Sequence, residues 1–221
     1  MTRAELARLI DHSVLRPEAT EGDIRAGADV VRRWQIAFYC VQPCWAADAA
    51  QLLADTNARI VTVVGFPHGC DRSDVKARGA AAAHADGALE IDMVLNIGAL
   101  KSGDTVTVGR DIEAVVCAVR GIPVKVILET RALTDDEKIS ACRLTREAGA
   151  AFVKTSTGFH PAGGATVADV RLLRECVGPD FGVKASGGIR TLADALAMIE
   201  AGANRIGASA SGEILAALDH D

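Results

Sequence analysis

The chain has 221 residues, 49% of them hydrophobic, and a formal net charge of −5. That is enough for one sizeable core, and with no lysine/arginine block the composition argues against nucleic acid or an anionic membrane as partner. MTRAELARLIDHS at the start lacks the apolar stretch of a secretory signal, no apolar run is long enough to span a bilayer, and the scattered Cys40, Cys44, Cys70, Cys117, Cys142 and Cys176 read as reduced thiols of a cytoplasmic protein.

Apolar runs of strand type alternate along the chain with stretches of helical period. LIDHSVL is followed by a predicted helix over Glu21–Trp34, IAFYCV by one over Cys44–Asp55, and RIVTVVGF by one over Arg72–Asp86. LEIDMVL then precedes Asp104–Arg120, VKVILE precedes Asp135–Ala148, FVKTS precedes Val167–Cys176, and FGVKAS precedes Leu192–Ala201. NRIGAS leads to a final helix from Gly212. Thr134 and Thr191 read as N-caps, and Gly87, Gly149 and Gly202 as left-handed C-caps. Strands made almost wholly of Val, Ile and Leu are buried on both faces, as in a parallel sheet. Eight such strands in alternation with helices predict a (β/α)8 TIM barrel, one domain over residues 1–221. A doubly wound open sheet is the alternative, but no GxGxxG follows the first run.

Barrel sites lie at the C-terminal strand ends, which ranks the polar residues by position. Lys154 in AFVKTSTG and Lys184 in FGVKASGG each close a run. Lys125 has three more apolar residues after it, which places it lower, as one half of a structural ion pair. Asp92 stands near the end of LEIDMVL, with Glu90 deeper on the same face; Glu129 closes the fifth run. Two ammonium groups brought together in a partly dry barrel mouth lower each other's pKa, and desolvation adds to that. A neutral lysine attacks carbonyls, so the pair points to Schiff-base chemistry, with Asp92 to move protons and balance charge. The competing reading makes both lysines ion-pair or phosphate-binding groups. The seventh and eighth loops, ASGGIR and IGASASGE, predict a phosphate site from the amides of Gly187 and Gly188, with Ser209 and the final helix dipole behind them. A zinc site from Cys40, Cys44, His68 and Cys70 is the weaker alternative, because the spacing is irregular and no CxxC is present; no metal and no cofactor is expected. His12 reads as a hydrogen-bonded structural group, and His84 as exposed.

The blocks LIDHSVLRPEAT, VVGFPHG, EIDMVLNIGALKSGD, KVILET, FVKTSTGF, VKASGGIRT and RIGASA, in this order over nearly the whole chain, resemble the deoxyribose-phosphate aldolase family. The resemblance implies a class I, metal-independent aldolase on a (β/α)8 barrel that cleaves 2-deoxy-D-ribose 5-phosphate to D-glyceraldehyde 3-phosphate and acetaldehyde. By motif position, Lys154 matches the Schiff-base lysine, Lys184 the second active-site lysine and Asp92 the proton-relay aspartate. Asp11 in IDH matches a residue supporting that relay, Cys40 one lining the aldehyde site, and Thr155 is placed with them. Gln42 in FYCVQP, His68 and Ala210 depart from the family's usual residues. The expected partners are a sugar phosphate and acetaldehyde, with a homodimer carried as the assembly. Rival readings are a keto-acid aldolase, for which Arg131 and Arg190 would have to clamp a carboxylate, and a catalytically silent sugar-phosphate binder.

Overall fold

In the computed structural model, which describes residues 1–219, eight parallel strands pair in chain order and close into a barrel. They are β1 (Ile10–Val14), β2 (Phe38–Val41), β3 (Arg59–Val64), β4 (Glu90–Val94), β5 (Val124–Ile127), β6 (Phe152–Lys154), β7 (Gly182–Ser186) and β8 (Arg205–Ala208). The helices are α1 (Arg3–Ala7), α2 (Glu21–Trp34), α3 (Ala46–Leu52), α4 (Ser73–Ala85), α5 (Ile97–Lys101), α6 (Thr105–Ala118), α7 (Asp135–Glu147), α8 (Val167–Val177), α9 (Leu192–Glu200) and α10 (Ser211–Ala216).

Local chemistry sets most of these boundaries. Thr20, Thr134 and Thr191 each accept a hydrogen bond from the backbone N–H three residues on, and Asp23, Glu137 and Asp194 reach back to close reciprocal caps. Gly87, Gly149 and Gly202 have positive φ where the helices before them end. Three features depart from the sequence expectation. The helix expected from Cys44 begins as a 3-10 turn, Pro43–Trp45, and becomes α-helical only at Ala46. α1 and α5 went unpredicted, because five residues are too few for an apolar period to register. His84 is half-buried rather than exposed, with Nδ1 2.8 Å from the Ala88 carbonyl oxygen.

Between sheet and helices the core is continuous and apolar. Val126, Val153, Val183 and Ile206 are fully buried there, each contributing about 1.5–3 kcal/mol. An ion pair crosses this layer: Lys76 Nζ lies 2.6 Å from Asp111 Oδ2 and donates to the Val94 carbonyl, tying α4 and α6 to the end of β4. The barrel interior is divided. Phe38, Cys40, Val61 and Val63 fill the β2–β3 side with an apolar cluster, whereas charged side chains fill the rest.

Strand register positions those charges. Lys154 pairs with Lys184 across β6 and β7, Asp92 with Lys125 across β4 and β5, and Lys184 with Arg205 across β7 and β8. Residues paired in a parallel sheet point the same way, so these side chains share the inner face.

Candidate active site

The two strand-end lysines converge on one carboxylate. Lys154 Nζ lies 2.7 Å and Lys184 Nζ 2.8 Å from the same oxygen, Asp92 Oδ2. Lys125 Nζ reaches the other oxygen at 2.8 Å. Lys184 also donates to Asp11. All five groups are buried. Lys125 is the register partner of Asp92 on the neighbouring strand, so its ion pair is part of the site and not separate from it.

Three ammonium groups on one buried carboxylate cannot all be equally comfortable. Burial works to raise the Asp92 pKa, but Lys125, Lys154 and Lys184 outweigh it and hold that carboxyl well below the ordinary range. Burial also works against the charge on Lys184; Asp11 and Asp92 more than offset it and raise the pKa of this amine. Lys154 ends differently. Burial is the largest influence on it, Asp92 opposes, Lys184 adds to the depression, and the net pKa is lowered. The sequence expectation had the direction for Lys154, but burial outranks the neighbouring lysine as its cause. For Lys184 the mutual depression is corrected: two carboxylates against one lysine neighbour keep it an ammonium.

Lys154 and Lys184 open into a cavity of about 490 Å3, also lined by Cys40, Thr157, Phe159, Gly187, Gly188, Arg190 and Ser209. That volume suits a small sugar phosphate. Burial pushes the Cys40 thiol up to about 11, so it faces the cavity as a neutral group. Gly187 and Gly188 have φ of +87° and +80°, a conformation that strains other residues. Gly187 is pinned from behind, its carbonyl accepting from the Ala165 N–H at 3.0 Å. α10 has only six residues, so the dipole expected behind Ser209 is small and the loop backbone must do the anchoring.

Several placements refine the reading. The Thr155 hydroxyl donates to the Ser186 carbonyl at 3.1 Å and accepts from the Ser186 N–H at 3.0 Å. With both roles committed to the β7 backbone, it clamps the two lysine loops together instead of joining a relay. His12 is a hydrogen-bonded group, as expected. Ser211 Oγ donates to the Ala208 carbonyl, so His12 Nδ1, 3.1 Å away, is the donor to Ser211. Burial lowers the His12 pKa to about 4. Gln42 is accounted for by its donation to the Leu15 carbonyl. Cys44, His68 and Cys70 are exposed while Cys40 is buried, and among the described residues no three His, Cys, Asp or Glu side chains are grouped to hold a metal ion. Arg131 donates to the Ala162 carbonyl and does not line the cavity, which leaves Arg190 without a clamp partner.

Sequence reasoning missed Thr157 and Gly207. The Thr157 hydroxyl bonds the buried Glu129 carboxylate at 2.5 Å, and the Phe159 N–H donates back to it at 3.1 Å, which shapes the cavity wall beside Lys154. At Gly207 a Cβ would lie 2.9 Å from Ser186 Cβ and 3.2 Å from Lys184 Cε. The bare backbone there makes room for the Lys184 side chain. Gly207→Ala is therefore expected to displace Lys184 and lower kcat by about 10–100-fold, with far-UV circular dichroism unchanged. Full activity would mean that the Lys184 channel is roomier than drawn.

A depressed, buried lysine at the open end of a parallel barrel, with a protonated lysine and an ionised aspartate touching it, defines a barrel enzyme equipped for imine chemistry. The chain belongs to the DeoC/LacD aldolase family, whose profile matches residues 6–216. It is 56% identical over 206 residues to deoxyribose-phosphate aldolase of Enterococcus faecalis, covering 93% of each chain. It is 54% identical over 213 residues to the enzyme of that name from a Thermoanaerobacter species, covering 95% of each. A crystal structure of a putative deoxyribose-phosphate aldolase from Coccidioides immitis superposes with TM-score 0.96 at 38% identity, over 99% of this chain and 87% of that one. The tetrameric deoxyribose phosphate aldolase of Aeropyrum pernix gives 0.92 at 32% identity, over 99% and 92%.

Proposed function

We propose that this chain reversibly cleaves 2-deoxy-D-ribose 5-phosphate to D-glyceraldehyde 3-phosphate and acetaldehyde through an imine on Lys154. The observation that carries this reading is the buried Lys154 amine, its pKa lowered, at the floor of a cavity whose rim bears two positive-φ glycines. In the cleavage direction the free amine of Lys154 adds to the sugar's C1 aldehyde and loses water. The protonated imine withdraws electrons, the C3 hydroxyl gives up its proton, and the C2–C3 bond breaks. Glyceraldehyde 3-phosphate departs and an enamine stays on the lysine. Protonation of its terminal carbon and hydrolysis release acetaldehyde and restore the amine. Asp92, ionised, and Lys184, protonated, are the base and acid within reach. Asp11 supports Lys184, and Cys40 faces the reacting carbons.

The decisive experiment measures acetaldehyde released from deoxyribose 5-phosphate and maps the adduct left by borohydride. An adduct on Lys184 or Lys125 would overturn the assignment, and a chain that only binds the sugar would release nothing. Lys184→Leu removes a positive neighbour from Lys154, so the amine's pKa rises. The acid limb of the kcat/KM profile then moves to higher pH, and kcat falls about 10²–10⁴-fold with the loss of the acid. An unmoved limb in the residual activity counts against the electrostatic role.

The phosphate reading rests on Gly187, Gly188 and Ser209 around one end of the cavity. Gly188→Val places a branched side chain in what is now open space beside a backbone at φ +80°. The ratio of kcat/KM for deoxyribose 5-phosphate to that for unphosphorylated deoxyribose should drop at least about tenfold, one charge-assisted hydrogen bond being worth about 1.5–3 kcal/mol. An equal loss for both sugars would indicate general damage to the mouth, and an unchanged ratio would move the phosphate elsewhere.

The closed barrel supports treating residues 1–221 as one catalytic domain. The free cysteines favour a cytoplasmic setting, and no described helix is long and apolar enough to cross a membrane. For assembly the proposal is a homodimer, which light scattering on the purified chain decides.

A further inference from the structure

Beneath Lys154 the buried charges close into a ring. Asp92 Oδ1 is 2.8 Å from Lys125 Nζ, and Lys125 Nζ is 2.5 Å from Glu90 Oε2. The same Glu90 oxygen is 3.0 Å from Arg205 Nη1, which is 3.0 Å from Asp11 Oδ1. Asp11 Oδ2 accepts from Lys184, and Lys184 returns to Asp92 at 2.8 Å. Carboxylate and cation alternate around the circuit, and each member touches two of the opposite sign. None is more than 8% exposed.

The ring draws on β1, β4, β5, β7 and β8. From β2 the facing group is the Cys40 thiol. From β3 it is Arg59, which is half-exposed and 3.8 Å from Glu90. From β6 it is Lys154 itself, whose carboxylate partner among the described residues is Asp92. The lower end is stoppered, because the Arg205 guanidinium carbon lies 3.4 Å from the centre of the Phe38 ring and 5.3 Å from that of Phe152.

We propose that Glu90 and Arg205, which touch neither the cavity nor Lys154, are positioning residues that keep Lys154 a free amine by closing this ring at electrical neutrality. This deepens the proposed function and rests on it. With three anions balancing three cations, an ammonium on Lys154 would be one buried charge too many, and shedding its proton leaves the whole set neutral. An extra negative charge in the ring would hold that proton, and an extra positive one would drive it off more readily. Desolvation alone would make Lys154 indifferent to the sign of charge two contacts away.

The test compares the pH dependence of kcat/KM for cleavage, and of cyanoborohydride trapping of acetaldehyde on Lys154, in parent and variants. Arg205→Met leaves the ring one positive charge short, so the acid limb moves up by about one pH unit, about a tenfold loss of rate below the limb. Glu90→Gln moves the limb down by a similar amount. The double variant returns it to near the parent position, and Arg205→Lys, which keeps the charge, leaves it in place. Limbs that shift in the same direction for both single variants, or that stay fixed while the rate falls at every pH, overturn the proposal. Should Arg205→Met not fold, Lys125→Met removes the same charge and must move the limb the same way; an unmoved limb there is equally fatal. A parent chain that neither releases acetaldehyde nor is trapped on Lys154 refutes the aldolase reading, whereas an active parent with limbs blind to ring charge refutes this inference alone.

Discussion

Lys154→Leu leaves a folded barrel with no reducible adduct and a turnover lower by at least about 10⁴-fold. The size follows from the chemistry. Without an amine there is no imine, and without an imine nothing withdraws electrons from the C2–C3 bond. Groups acting as one unit lose nearly all their effect when the nucleophile goes. Neither neighbour can take over. Lys184 is held as an ammonium by Asp11 and Asp92, and Lys125 is fully buried against Glu90 and Asp92, away from the cavity. Leucine supplies apolar bulk in place of most of the lysine stem and removes a group whose desolvation is unfavourable, so the thermal midpoint should hold or rise. Residual trapping mapped to Lys184 would show that the two lysines had been assigned in the wrong order.

Asp92→Asn damages both stability and rate. The amide keeps the size of the carboxylate and can still accept from one lysine, but the charge that holds the Lys125 and Lys184 ammonium groups and faces the Lys154 amine is gone. Breaking a buried ion pair from one side costs about 3–5 kcal/mol, which for a chain of this length lowers Tm by about 6–20 °C. Catalysis falls as well, by about 10²–10⁴-fold, through loss of the base next to the imine. The acid limit of stability moves with it. A carboxyl whose folded pKa is depressed stabilises the fold above the unfolded value near 4, and that contribution fades as pH falls through the folded value. The parent should therefore resist acid further than the variant does. Calorimetry from neutral pH down to well below about pH 4 reads both stability effects, and a variant with parental Tm there and turnover within tenfold would show that Asp92 is a bystander.

The fold and the three residues proposed to react were legible because each leaves a local mark. Buried parallel strands read as unbroken apolar runs, threonine caps precede acidic first turns, and a lysine at the end of such a run has no apolar excuse for being there. The family blocks then assigned Lys154, Lys184 and Asp92 their roles, and strand register puts all three on the inner face. What stayed hidden depends on reach and pairing across the barrel. Lys125 looked remote from the chemistry because three apolar residues follow it in its run, but strand register sets it directly beside Asp92. Arg205 and Glu90 are 115 positions apart in the chain, and no spacing rule connects them. Gly207 carries no functional group, so its part shows only when a side chain is imagined there. The bonds of Thr155 to the Ser186 backbone were hidden as well, because motif position says which loop a hydroxyl belongs to, and not which way it turns.

Among the described residues, Arg205 stacks on Phe38 and lies beside Phe152 at the lower end of the barrel, and the cavity at Lys154 opens past the glycine rim. On the proposed reading the phosphorylated half of the sugar occupies that passage and the two-carbon half lies behind it. Traffic is therefore compulsory in sequence: glyceraldehyde 3-phosphate departs first in cleavage, and acetaldehyde must be aboard before it arrives in synthesis. In the proposed reaction the opening and the lysine-bound enamine therefore enforce the same order, the two-carbon fragment being held both by its bond to Lys154 and by its place behind the departing phosphate.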